Sequence, residues 1–221
     1  MDEQTNEFIN GVYPYFKILL SINENLLKLI NANTDNQPYE NEELFYTLSS
    51  DLIRLFPVKT KKGECGEIFL DKKSGVMLMK AHIPFIEDEY DKIMSDETCK
   101  KALKKILAIR NKYIHEPHNI TFCFSVGAKT SCSMGLYYKH ELLSISTIWI
   151  TNIVYELNLI FEEVKNLYIE TINQCNDKYK KYPSYQYISK INLREYRKKL
   201  NRIPWAYIEI DEEYDVFSII E

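Results

Sequence analysis

Glycine is scarce in this chain. Its 221 residues contain only 6 glycines, and none lies beyond Gly135. Glycine marks turns and is uncommon in helix interiors. After Gly11, the groups Gly63, Gly66, Gly75 and then Gly127, Gly135 should therefore bracket two non-helical insertions in a helical protein. Cysteine gives no framework either. The 5 cysteines stand at positions 65, 99, 123, 132 and 175 without a CxxC pair, which argues against both a disulfide scaffold and a structural zinc site. Runs of 18 apolar residues are missing, so no membrane span is expected. Excess positive charge is missing too, with 28 Lys+Arg against 32 Asp+Glu and a net charge of −4. No global field draws nucleic acid, and any anion site must be local. A phosphate-binding glycine loop and a dinucleotide fingerprint are also absent. The N-terminus, MDEQTNEF, is acidic and polar, unlike a signal peptide, and the expected localisation is cytoplasmic.

What the chain does contain is helical periodicity. Phe8, Val12, Phe16, Leu19, Leu20, Ile22, Leu26, Leu27 and Ile30 fall at helical spacing over residues 5–33, with Pro14 either kinking this helix or marking its start. Asn41 is a candidate N-cap for a second helix carrying Leu44, Phe45, Leu48, Leu52, Ile53 and Leu55, which stops before Pro57. Residues 65–80 resemble a β-hairpin about a Ser-Gly turn, and the acidic residues 87–91 could begin another helix. Asp96 caps a helix with Glu97 in its first turn, where a carboxylate suits the dipole. Residues 120–126 and 134–138 are expected to pair as a second hairpin, within 119–139. The strongest helical stripe follows from about Ser144 to Asn176, with Ile145, Trp149, Ile153, Leu157, Ile160, Val164, Leu167 and Ile172 on its buried face. A short helix near 193–200 and an extended piece around 205–210 complete the chain. The fold class expected is mainly α, an antiparallel helical bundle with one or two small β-hairpin insertions. Residues 1–180 would form the bundle and 181–221 an extension packed on the same domain. The 17 tyrosines, and lysine far outnumbering arginine, read as AT-rich coding bias rather than as function.

The chemistry concentrates in Arg110-Asn111-Lys112-Tyr113-Ile114-His115, before Pro117. On a helical projection of residues 96–115, Leu103, Ile106, Leu107, Tyr113 and Ile114 form an apolar arc, and Arg110 falls near its middle. A buried guanidinium is costly unless paired and hydrogen-bonded. Asn111 and His115 are i and i+4, hence neighbours on one face, and Lys100 and Lys104 project to that side. An arginine can hold a phosphate, and an imidazole titrates nearer neutrality than any other side chain. Two other readings stay open at this point. Arg110 could pair with a carboxylate on another helix while His115 caps the helix C-terminus. A metal could be held by His115, Glu116, His118 and Cys123, although no ligand pair stands at recognised zinc spacing.

Arg-Asn-x-x-x-His at the end of a bundle helix resembles the signature of the HEPN superfamily, in which an arginine, often followed by asparagine, precedes a histidine by four to six residues. Arg110, Asn111 and His115 match those three positions. The resemblance covers the motif and the two helices between residues 96 and 176. It implies a helical bundle that homodimerises and brings two motifs together at a cleft, and a metal-independent endoribonuclease of toxin–antitoxin, phage-defence or RNA-processing type. His115 would then be the base that takes a proton from an RNA 2′-hydroxyl, Arg110 would hold the scissile phosphate, and Asn111 would orient one of them. Lys100, Lys104 and Lys112 would bind substrate, with no metal or cofactor. The implied partners are RNA, a second copy, and an antitoxin or defence-system protein. In the family's toxins that are silenced by nucleotide transfer, a tyrosine follows the histidine by two residues. Pro117 stands there in this chain, so that control is not expected. Other members are catalytically inactive dimers that bind RNA, nucleotide or protein, and this is the alternative function.

Overall fold

The computed structural model describes residues 3–31, 38–55, 95–115, 120–126, 132–138, 141–175 and 177–200. The expected hairpin at 65–80, the helix from 87–91 and the extended piece at 205–210 lie outside these residues.

The apolar periodicity of the first 31 residues is delivered as two helices, α1 (Glu3–Gly11) and α2 (Tyr13–Asn31). The break falls at Val12, and Pro14 occupies the first turn of α2, where a missing N–H costs nothing. Helix α3 (Pro38–Leu55) likewise starts on a proline. Asn41 is therefore not its N-cap. It lies one turn inside, is 2% exposed, and its Oδ1 makes no hydrogen bond. Helix α4 (Glu97–His115) begins where expected, the Cys99 amide donating to Asp96 Oδ1 at 2.8 Å.

Strands β1 (Ile120–Val126), β2 (Cys132–Tyr138) and β3 (Glu141–Ser146) form one antiparallel sheet in the order β1-β2-β3. The expected pairing of 120–126 with 134–138 is present, with Phe124 opposite Met134. The third strand was not expected. Residues 141–146 continue the ladder, Ser133 facing Ser146, so the long helix α5 (Thr147–Gln174) starts three residues later than its apolar stripe suggests. Ser146, extended at φ −79°, ψ 141°, accepts a hydrogen bond from the Ile148 amide at its side chain, as an N-cap serine does. A 3₁₀ turn (Asp177–Lys181) then leads to α6 (Pro183–Ile188) and α7 (Leu193–Lys199).

Helix α2 packs on α3 and α5, α3 on α4, and α4 on α5 and β3, closing a four-helix ring. Helices α1 and α2 run antiparallel to α5, since Phe8 of α1 meets Tyr168 at 6.0 Å between ring centroids and Phe16 of α2 meets Phe161 at 5.3 Å. Further along, the amides of Asn23 and Asn158, both fully buried, exchange two hydrogen bonds of 2.8 and 2.7 Å. Helix α4 runs antiparallel to α5 as well. Cys99 senses the charge of Glu156, and the Lys105 ammonium lies 5.5 Å from the centre of the Trp149 ring. The core therefore sits between the four long helices, and α6 and α7 add Ile188, Leu193 and Leu200 to it.

Burial of ionisable groups in this core sets an alkaline limit. Burial, then Asp96 and Glu156, pushes the Cys99 thiol from 9.0 to about 12, so it is no nucleophile. Tyr113, Tyr168, Tyr187 and Tyr196 are raised from 10.0, in each case first by burial. Groups whose pKa rises on folding hold their protons longer in the folded chain, so stability is intact below about pH 9 and falls as pH climbs toward 12. Lys165, lowered by burial, opposes this, but as one group against five. The urea midpoint is expected to drop between pH 8.5 and pH 10.5; an unchanged or higher midpoint would contradict it.

Candidate functional site

The last turns of α4 carry the motif. The helix has neither glycine nor proline over its 19 residues, and its buried stripe, Cys99, Ala102, Leu103, Ile106, Leu107 and Ile109, fixes its rotation in the bundle. Lys112 and His115 occupy the last turn, where cations suit the helix dipole. That rotation leaves Arg110, Asn111 and Lys112 half-buried and His115 exposed.

Arg110 Nη1 donates to Asn111 Oδ1 at 3.0 Å. The two predicted residues thus meet, and Asn111 fixes the plane of the guanidinium. Across from them stands α3, which contributes Glu42, Phe45, Tyr46 and Ser49 to a recess shared with Ile109, Arg110 and Tyr113. The Tyr46 and Tyr113 rings lie 4.4 Å apart. The Tyr113 hydroxyl donates to the Glu42 carboxylate, and burial followed by the charge of Glu42 raises its pKa. Glu42 and Tyr46 were not anticipated from the sequence. Both lie on the face of α3 turned to α4, a pairing of helices that no local pattern announces. The recess encloses only about 10 Å³, at the lower limit for one water.

Arg110 and His115 do not converge. Five residues separate them, roughly 7.5 Å along the axis and about 140° around it. Asn111 and His115 are about 40° apart and do share a face. Lys104 is exposed on the same side as His115 but roughly 16 Å up the helix. Lys100 is a further turn away, and its side chain lies outside the described residues. A ligand touching His115 and these lysines together must therefore span roughly 16 Å or more. Glu116 and His118 of the metal reading lie outside the described residues, as does the side chain of Cys123. Among the described residues, no cluster of three His, Cys, Asp or Glu side chains forms, and no helix is long and apolar enough to cross a membrane.

No protein-family model, curated protein or solved structure matches the chain.

Proposed function

We propose that this chain is a metal-independent endoribonuclease of a defence or toxin–antitoxin type, acting in the cytoplasm as a homodimer. The observation that carries the reading is the Arg110–Asn111 hydrogen bond at the end of α4, with an exposed His115 one turn beyond Asn111. In the reaction, His115 removes the proton of an RNA 2′-hydroxyl and the freed oxygen attacks the adjacent phosphorus. The bond to the 5′-oxygen breaks, and that oxygen takes up a proton from an imidazolium or from water. The products are a 2′,3′-cyclic phosphate and a 5′-hydroxyl. Arg110 stabilises the charge on the phosphoryl oxygens, and Lys104 and Lys112, with Lys100, hold the flanking backbone. The divergence of Arg110 from His115 on one helix fits a cleft completed by a second copy, in which groups from both chains face one phosphate.

The recess at Arg110, too small to admit a phosphate group, favours a second reading, in which the bundle dimerises and binds RNA, nucleotide or protein on its surface without cutting. Incubating purified protein with a mixed RNA pool in EDTA separates them. Cyclic-phosphate ends are expected from the ribonuclease. RNA that is bound yet intact, with the protein folded and dimeric, would support the binding module instead.

A further inference from the structure

The charge of this chain is unevenly placed. Residues 177–200 hold eight lysines and arginines against Asp177 and Glu195, with five tyrosines among them, whereas the remainder of the chain is acidic. Part of that charge is spent internally. Glu162 on α5, with its side chain 15% exposed, accepts from Arg194 Nε at 2.5 Å and from Arg197 Nη2. Lys180 pairs with Asp177 at 2.9 Å, and Lys199 with Glu195 at 2.7 Å. Lys181, Lys190 and Lys198 are exposed and make no ion pair within 4 Å among the described residues, although Lys198 still acts on the Glu195 carboxylate, so this end of the molecule carries a net positive surface.

Beside Lys190 lies a groove of about 620 Å³ between α2 and the α6–α7 pair. Tyr187 and Tyr196 line it, with Lys190 and Lys199 at its edge and Leu20 and Ile191 among its apolar walls. Both rings are half-buried, and Tyr187 is steadied by an edge contact with Tyr13 at 5.3 Å. Glu195 lines the groove as well, and burial first, then the nearby Glu24 among other groups, raises the pKa of both tyrosines. These carboxylates disfavour a phosphate within the groove and suit an uncharged ring.

We infer that this groove and the positive surface beside it bind single-stranded nucleic acid, with the backbone on Lys181, Lys190 and Lys198 and a base entering between Tyr187 and Tyr196. A strand is required, because a paired base cannot leave its stack to enter. Ring stacking with flanking cations is the general mode by which unpaired strands are held. The site is separate from the motif. Glu162 and Lys165 anchor α7 and the turn before it, whereas Lys105 lies beside Trp149 near the other end of α5. His115 continues beyond Lys105 in the opposite direction, so the two sites stand on the order of 35 Å apart along the bundle.

The test is fluorescence anisotropy of the full chain with a labelled deoxyadenosine oligomer of about 12 nucleotides, from about 50 to 300 mM salt. A deoxy strand cannot be cut through a 2′-hydroxyl, so the result is independent of catalysis at His115. Binding is expected to weaken steeply with salt. Lys181→Glu/Lys190→Glu/Lys198→Glu is expected to lose at least about tenfold in affinity and to flatten the log–log salt slope by about 2. These side chains are exposed, and an unchanged thermal melt checks that the variant folds. Unchanged affinity in the folded variant would overturn the site. Equal binding of an abasic oligomer would overturn the base-binding groove. Displacement by polyglutamate as effective as by the oligomer would assign the surface to an acidic protein instead.

Discussion

His115→Ala is expected to lower the single-turnover rate of RNA cleavage in EDTA by about 10²–10⁴-fold, the usual contribution of a positioned general base, while RNA affinity stays within about twofold. The side chain is exposed at the last residue of α4, so its removal leaves the core untouched, and an exposed substitution changes stability by at most about 0.5 kcal/mol. A fall in rate with binding and melting temperature preserved therefore reports chemistry. Arg110 behaves differently. Arg110→Lys keeps the charge but loses the planar donor set that Asn111 orients, and should impair both turnover and local packing against α3. A His115→Ala protein that cuts as fast as its parent would end the ribonuclease proposal for this motif.

The largest stability effect is expected at the buried amide pair. Asn158→Leu removes both hydrogen bonds to Asn23 and leaves the Asn23 Oδ1 buried without a donor, although its Nδ2 keeps the Leu19 carbonyl at 2.9 Å. An unsatisfied buried group costs about 1–3 kcal/mol beyond the lost bonds, so a loss of about 2–4 kcal/mol is expected, or roughly 5–12 °C in melting temperature. The double variant Asn23→Leu/Asn158→Leu should regain most of it, since two apolar groups of similar size replace a matched pair. Chemical denaturation of the three proteins closes the cycle. If the single variant loses under about 0.5 kcal/mol, or the double variant is the worst of the three, the pair does not hold α2 against α5 as described.

Much of the architecture was legible because burial imposes a period. Phe8, Val12, Phe16, Leu19, Ile22 and Leu26 were read from spacing alone, and all are buried. Asp96 declared the start of α4 through the chemistry of its carboxylate. The failures have local causes. Asn41 has the right side chain for a cap, but Pro38 can occupy a first turn at no cost and moved the helix start outward. Residues 144–146 were absorbed into the helix because Ile145 fits its stripe, whereas the ladder of 141–146 with β2 is a long-range gain that no local pattern announces. Arg110 and Asn111 meet in a hydrogen bond, and the divergence of Arg110 from His115 was already contained in their five-residue spacing on one helix. The basic end escaped notice because its tyrosines were assigned to codon bias, and only the packing of α6 and α7 shows two of them facing one groove.

Ser146 belongs to two structures at once. It closes the ladder opposite Ser133, and its hydroxyl takes the Ile148 amide, one of the free donors in the first turn of the 28-residue α5. Pulling β3 off β2 would rotate that hydroxyl away from Ile148 and release the helix's opening turn, so the sheet and the start of the bundle's longest element cannot open independently. In hydrogen exchange, the amides of the β2–β3 ladder and the first turn of α5 should trade protons for deuterons in one shared event, at one free energy. A single serine thereby makes a peripheral meander part of the same cooperative unit as the core.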